Sequence, residues 1–489
     1  MDKFFKISEN KSTVRTEIMA GLTTFFAMAY IVITNPNQIV SFNHLTPGAD
    51  PKFQMIWNAV YVASILGAFI GTMLMSLYAK MPFAQACGMG LNSFFFVSFI
   101  LPAIMSSGDL ITGYHYGMVV IFLSGVIFFI LSVTKLREKI AKALPDCLKK
   151  AIPAGIGLFI AFLGFQNVGI IKANQYTLVQ FNDIHGAING TVTDVDLTGA
   201  YVQQAVSFKD YALPALLALL GLIIIAVLDQ LKVKGSVLIS ILAVTIIYYP
   251  IMGIAPSFDM GQVGQSFKDF GAIGITGLFD GAAWTKAFGS GASAIFTTVV
   301  LIITYALVDM FDTIGTVYGT ASQAGMLDQN GDPVNLDKCM MSDSVATVVG
   351  GVSGTSTVTT FVESASGVGA GGRTGLTSLV VAICFFICLF LSPVASLVPA
   401  CATAPALIYV GVLMMKNFKD VDMSEARSAV PAFLALICMP LTYSISNGIG
   451  IGAIAYTLIT LFTGKYTKKD IAITVVALLF VLKFCMVTM

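Results

Sequence analysis

Stretches of about twenty apolar residues recur along almost the whole of this 489-residue chain. A segment of that length and character spans a lipid bilayer as a helix, the form that pairs its backbone groups internally. Candidate spans fall near 18–40, 56–79, 82–102, 115–134, 151–171, 212–229 and 235–254, and again near 292–321, 340–352, 356–372, 376–397, 399–416, 430–446 and 447–463. Two of the fourteen, 82–102 and 356–372, are rich in Gly or Thr, and 340–352 is short. A further apolar stretch, 470–487, breaks the count and is read as an extra peripheral or interfacial helix. The chain is 56% hydrophobic and 11% charged, where a soluble domain carries about 25% charged residues. The expected class is therefore an all-α polytopic membrane protein. The first seventeen residues are polar and lack a signal-peptide core, so the first span is expected to act as its own insertion signal.

Basic residues set the orientation, because Lys and Arg concentrate in cytoplasmic loops. With the amino terminus inside, 21 of the 27 Lys and Arg fall on the inner side; the outer loops keep Lys52, Lys172, Lys209, Lys268 and Lys286. This predicts a multi-pass protein of the cell membrane with a cytoplasmic amino terminus. A net charge of +1 gives no electrostatic case for nucleic acid. The eight cysteines are scattered without a CxxC and read as small buried hydrophobes. His44, His115 and His185 fall in or beside predicted loops, which argues against a His-ligated metal site.

The two halves echo one another. IPAGIGLFIAFLG from Ile152 resembles VPACATAPALIYVG from Val398, and ALPALLALLGL from Ala212 resembles AVPAFLALICM from Ala429. Seven spans separate the members of each pair, and an odd number inserts the halves in opposite orientation, as in inverted-repeat transporters. The first repeat is read as 15–255 and the second as 290–463. The polar stretch 172–211 has no counterpart and reads as a solvated external insertion.

Three carboxylates lie where hydrocarbon is expected: Asp309 and Asp312 in span eight, Glu363 in span ten. A charge near the bilayer centre costs at least roughly 2.5–3.5 kcal/mol, so such groups face a polar cavity and carry function. Asp309 and Asp312 are spaced i, i+3 and share a helix face. Span three holds QACGMGLNSFFF and span ten TSTVTTFVES, whose glycines and β-branched residues disfavour a continuous helix. Each is read as a short extended piece followed by a half-helix, presenting backbone groups to a small polar ligand. Glu363 then lies in the first turn of its half-helix. There the helix end favours the charged form and burial the neutral one, which suits a group that exchanges a proton near neutral pH.

Four collinear motifs, TEIMAGLTTFFAMAYIVITNPNQI, GMGLNSFF, LVDMFDTIGT and FVESASGVGAGGRTGLTS, resemble the adenine/guanine/hypoxanthine permeases of the nucleobase–cation symporter-2 group. The resemblance covers the chain to about residue 465. It implies the fold of the bacterial uracil transporter, with fourteen segments in two inverted repeats of seven and short strands crossing in segments three and ten. A core domain (18–134 and 292–397) would carry substrate against a gate domain (151–254 and 399–463). By motif, Asp312 and Glu363 match the acids that hold the purine, Asn92 a third-span residue linked to transport, and Asp309 the second eighth-span acid. Thr360 joins the expected substrate contacts, and Glu363, Asp312 and Asp309 the expected proton-coupling set. The implied activity is import of guanine and hypoxanthine, or of adenine, by proton symport, without a cofactor. Family analogy points to a homodimer. An anion permease of the same fold would place cationic or neutral groups at the midplane. An intramembrane aspartyl protease would set its aspartates on separate spans with GxGD, which is absent, and a channel would show a repeated pore ring.

Overall fold

Chemistry first interrupts a helix in span one. In the computed structural model, which describes residues 2–40, 50–106, 108–134, 145–174, 177–195, 201–233, 235–256, 258–289, 291–328 and 333–486, α1 (Val14–Met28) is capped by Thr13, whose hydroxyl accepts from the Thr16 amide. It stops at Ala29–Tyr30, and α2 (Ile31–Val40) takes over. Pro36 has no N–H to offer the Val32 carbonyl, and the turn before it tightens to bonds from Val32 N to Ala29 O and Ile33 N to Tyr30 O. The expected span over 18–40 lies within Val14–Val40, which is long and apolar enough to cross a membrane as one segment, with its helix broken at Ala29–Tyr30.

α3 (Pro51–Leu74) opens with proline in its first turn, where a missing N–H costs nothing. Segment three consists of β1 (Gln85–Cys87) and the half-helix α4 (Met89–Phe95). α5 (Leu110–Val133) and α6 (Asp146–Asn167) follow. The 172–211 stretch is more ordered than a plain loop: it folds into the hairpins β2 (Ile171–Asn174) with β3 (Leu178–Phe181) and β4 (Thr191–Val195) with β5 (Tyr201–Ala205). Then come α7 (Leu213–Gln230), α8 (Ser236–Met252) and the long α9 (Ala292–Ala324). α10 (Leu336–Ser353), β6 (Val358–Thr360), α11 (Ser364–Gly369) and α12 (Gly375–Cys388) precede α13 (Ala400–Met415), α14 (Ala426–Leu441) and α15 (Ile445–Phe462). Within the stretch 470–487, the helix α16 (Ile471–Met486) packs on α15 and α9, and residue 487 lies outside the described residues.

Among the described residues, six helices are long and apolar enough to cross a membrane, and seven shorter apolar stretches of 10–17 residues accompany them. The chain is thus a multi-pass membrane protein. Its helices pack in two neighbourhoods. α1 to α5 associate with α9 to α12, while α6, α7 and α8 associate with α13, α14 and α15; α4, α9 and α2 touch α6 and α13 across the seam. Pro153 lies inside α6 whereas Pro399 precedes α13, so these matched prolines differ in helical register. Close approach of α5 and α10 depends on glycine: a Cβ at Gly351 would lie 2.6 Å from Phe122 N.

Buried polar groups fasten the α1 neighbourhood. Glu17, fully buried, accepts from Arg373 N (3.0 Å), Thr374 N (3.2 Å) and Thr377 Oγ1 (2.6 Å), so a side chain of α1 satisfies the start of α12. His115, expected in or beside a loop, is instead buried in the second turn of α5. Its Nδ1 is 2.8 Å from Asp280 Oδ2 and its Nε2 is 3.1 Å from Ile273 O. Lys234 and the basic run Lys135, Arg137, Lys139 and Lys142, all used in the orientation argument, lie outside the described residues, as does His44.

Candidate functional site

The site is built around the antiparallel pairing of β1 with β6, Gln85 opposite Thr360, Ala86 opposite Thr359 and Cys87 opposite Val358. β-Branched Val358, Thr359 and Thr360 suit extended backbone. Gly88 N donates to Thr357 O and Phe361 N to Ala84 O, both at 3.0 Å, so the ladder extends past the strands at both ends. Ser364 Oγ accepts from Ala84 N (3.0 Å), and Thr72 Oγ1 bonds both the N–H and the carbonyl of Gln85 (2.9 Å each). Every strand residue is buried. Irregular backbone at this depth is tolerated because protein surrounds it and one edge faces a cavity.

That cavity, of about 200 Å³, lies between the two packing neighbourhoods. Tyr30, Asp312, Thr316, Thr360 and Glu363 supply its polar wall. Met89, Phe361 and, from the opposite side, Ile160, Val410 and Leu413 supply apolar surface. Lys416, exposed at the carboxyl end of α13, also borders it. A small number of polar groups on an otherwise apolar wall is the usual make-up of a small-molecule site.

Asp312 projects from α9 over the start of α4: a Cβ at Gly88 would lie 3.9 Å from Asp312 Oδ2 and 3.1 Å from the Thr359 methyl group. The next residue, Thr313, bonds its hydroxyl to that of Thr359 at 2.7 Å, fixing α9 against β6. Glu363 immediately precedes α11 rather than lying in its first turn, and makes no capping bond to that helix. Its carboxylate turns to Tyr30, whose hydroxyl donates to Oε1 at 2.6 Å. Thr360, at the end of β6, lines the cavity and accepts from Gln85 Nε2 at 3.4 Å.

The other two expected residues lie behind this wall. Asp309 is fully buried and accepts from Thr347 Oγ1 of α10 at 2.8 Å; the same hydroxyl reaches Val358 O at 3.2 Å. Asp309 and Asp312 share a helix face, yet only Asp312 borders the cavity. Asn92 is fully buried in α4, where Nδ2 donates to Gln38 Oε1 (3.2 Å) and Oδ1 accepts from Ser356 Oγ.

A fourth acid escaped the sequence reading. Asp343 of α10 is fully buried and accepts from Gln85 Nε2 at 3.4 Å, so Gln85 links it to Thr360 on the cavity wall. The signal was the one used for the other three, an acid inside a span, but span nine is short and its small polar residues masked it. Tyr30 and Lys416 carried no sequence signal, because a tyrosine or a terminal lysine in an apolar segment is ordinary.

A family model described as "Permease family" matches residues 15–195 and 191–451. The guanine/hypoxanthine permease PbuO of Bacillus subtilis is 36% identical, with 97% of this chain and 98% of that protein aligned. The adenine permease AdeQ of Escherichia coli is 35% identical, covering 100% and 96%. The guanine/hypoxanthine permease PbuG of Bacillus subtilis is 37% identical, covering 95% of each. Among solved structures, the transmembrane domain of the cyanobacterial bicarbonate transporter BicA superposes with a TM-score of 0.60 at 15% identity, covering 88% of this chain and 96% of that one. SLC26A9 gives a TM-score of 0.58 at 10% identity, covering 94% and 68%. At such identities these two likenesses describe the fold alone.

Proposed function

This chain belongs to the purine permease family, and on that premise we propose that it imports purine nucleobases, guanine and hypoxanthine first, across the cytoplasmic membrane by proton symport. It is a transporter rather than an enzyme. The observation that carries the reading is the pair Asp312 and Glu363 on one wall of an otherwise largely apolar cavity. A purine offers ring N–H and exocyclic amino donors, which carboxylates accept, and a flat face that Phe361, Met89 and Val410 can cover. A compound lacking those donors leaves buried acceptors unmatched, at a cost of about 1–3 kcal/mol each, and is rejected on that ground.

In this reading the helices around Asp312 and Glu363 are the mobile core, 18–134 with 292–397, and 151–254 with 399–463 form the gate that supplies the opposite wall. The fourteen segments make two inverted repeats, 15–255 and 290–463. An acid of the set Glu363, Asp312 and Asp309 takes a proton from outside, the base binds, and the core shifts as a body to open inward. One charge moved inward through 100 mV gains about 2.3 kcal/mol, enough to concentrate a neutral base roughly fifty-fold. The amino terminus is cytoplasmic and the protein functions as a homodimer. Anion transport, as in the bicarbonate transporter of like fold, is the second reading. Two carboxylates against one peripheral lysine count against it, because they repel an anion.

The test is purified protein in liposomes with labelled hypoxanthine outside. The account predicts accumulation driven by an inward proton gradient, abolished by a protonophore and independent of sodium. Accumulation insensitive to both the pH gradient and the membrane potential contradicts proton coupling, and stimulation by sodium alone reassigns the ion.

A further inference from the structure

We propose that Tyr30 is a positioning residue for the substrate-binding carboxylate of Glu363, an inference that rests on the purine reading of the cavity. Tyr30 occupies the joint between α1 and α2 and is fully buried, yet its side chain borders the cavity. Its backbone is fixed there, since its carbonyl accepts from Ile33 N (3.1 Å), Thr34 N (3.0 Å) and Thr34 Oγ1 (3.1 Å). A phenol on this pivot points at one atom, Glu363 Oε1, 2.6 Å away.

An acid placed just before a helix has a competing partner in the free amides of the first turn. Glu363 makes no capping bond to the amides of α11. The described ion pairs do not include it either. Tyr30 is therefore the side chain that holds the carboxylate in the cavity wall, beside the bond the carboxyl makes to its own backbone N–H. A neutral donor suits that task where a Lys or Arg would not, because it engages Oε1 without neutralising the group and leaves Oε2 to accept from a ligand. The contact also has a consequence for selectivity. With Oε1 already occupied, a base presenting one donor is matched as well as one presenting two. Freeing Oε1 should shift preference toward guanine, whose ring N–H and amino group lie side by side.

The experiment compares wild type, Tyr30→Phe and a control, Tyr61→Phe, for uptake of labelled hypoxanthine and guanine, with membrane-resident protein quantified and purified samples melted. Tyr61 is a buried tyrosine whose hydroxyl donates to Cys388 O at 2.6 Å, away from the cavity. Tyr30→Phe is expected to raise the KM for hypoxanthine on the order of tenfold, as for loss of one hydrogen bond to a carboxylate. Vmax per transporter should stay within about twofold, and the guanine-to-hypoxanthine KM ratio should fall. Tyr61→Phe is expected to lower the melting temperature and leave both KM values alone. An unchanged KM in Tyr30→Phe, or a loss of melting temperature without a KM effect, overturns the inference. So does failure of Tyr30→Phe to accumulate, which would give the hydroxyl a folding role. If the wild type takes up neither base, the purine reading itself falls, and that arm is scored independently of the tyrosine variants.

Discussion

Replacing Glu17 by Gln separates a structural acid from a transporting one. Glu17 accepts three hydrogen bonds at 2.6–3.2 Å in a fully buried setting, two on Oε2 (Thr374 N and Thr377 Oγ1) and one on Oε1 (Arg373 N). A Gln amide oxygen can keep the first two, but its NH₂ group then faces the Arg373 amide, donor against donor. Bonds to a charged acceptor contribute about 1.5–3 kcal/mol and neutral ones about 0.5–1.5 kcal/mol. Losing one and weakening two therefore costs roughly 3–5 kcal/mol. At about 2.1 cal/mol/K per residue, unfolding 489 residues changes entropy by roughly 1 kcal/mol/K, so the melting temperature should fall by about 3–5 °C. The assay is a thermal melt of purified protein in detergent, paired with uptake per membrane-resident molecule. The reasoning predicts a lower melting temperature with KM for the base unchanged, the opposite pattern to that expected of Glu363→Gln. A melt within 1 °C of wild type, or a lost affinity at full stability, refutes it.

Gly351→Ala should force α5 and α10 apart, since the new Cβ must move from 2.6 Å to about 3.4 Å from Phe122 N, a shift of about 0.8 Å. The expected cost of about 1–3 kcal/mol is read from the melt, together with reduced uptake, because α10 carries Asp343 and Thr347. Thr347→Val keeps the volume but removes the donor to Asp309 Oδ2 and Val358 O, so stability should fall by about 1.5–3 kcal/mol while the competition profile among bases stays the same. At the surface, the hydrogen bond from Lys52 holds the Asp109 carboxyl down at about 2. A depressed group stabilises the fold above its unfolded value of about 3.9 and loses that contribution only as pH falls toward 2, so Asp109→Asn should melt in parallel with wild type from pH 5 to 8. Asp109→Ala, which also removes the cap on Thr112 N, should cost about 1 kcal/mol.

Much of this architecture was readable because hydrophobic length and backbone chemistry are local. The apolar runs located most helices within a few residues, and the Thr-Val run at 355–360 with the glycines at 88 and 90 marked the two places where helix gives way. The break at Tyr30 was missed although Pro36 stood in the sequence, because a proline is tolerated in membrane helices and its effect lies a turn upstream. The hairpins of 172–211 were missed because strands of four or five residues are too short to show a distinct period. Within the site, the acids were legible as charges out of place. Their division into cavity wall (Asp312, Glu363) and backing layer (Asp309, Asp343) was not, because neighbours on α10 and β1 decide it and no spacing along α9 encodes them. Asn92 likewise sits in a buried amide–hydroxyl cluster that only tertiary contact assembles.

The central claim, that Asp312 and Glu363 bind a purine during transport, is tested most directly by uptake of labelled hypoxanthine into cells lacking their own purine permeases. Wild type, Glu363→Gln and Asp312→Asn would be compared at matched membrane levels, with unlabelled adenine, guanine, xanthine and uracil as competitors. The account predicts saturable uptake in the wild type, competition by guanine, and loss in either variant. No uptake of any base by protein demonstrably in the membrane, or full uptake by both variants, would contradict it.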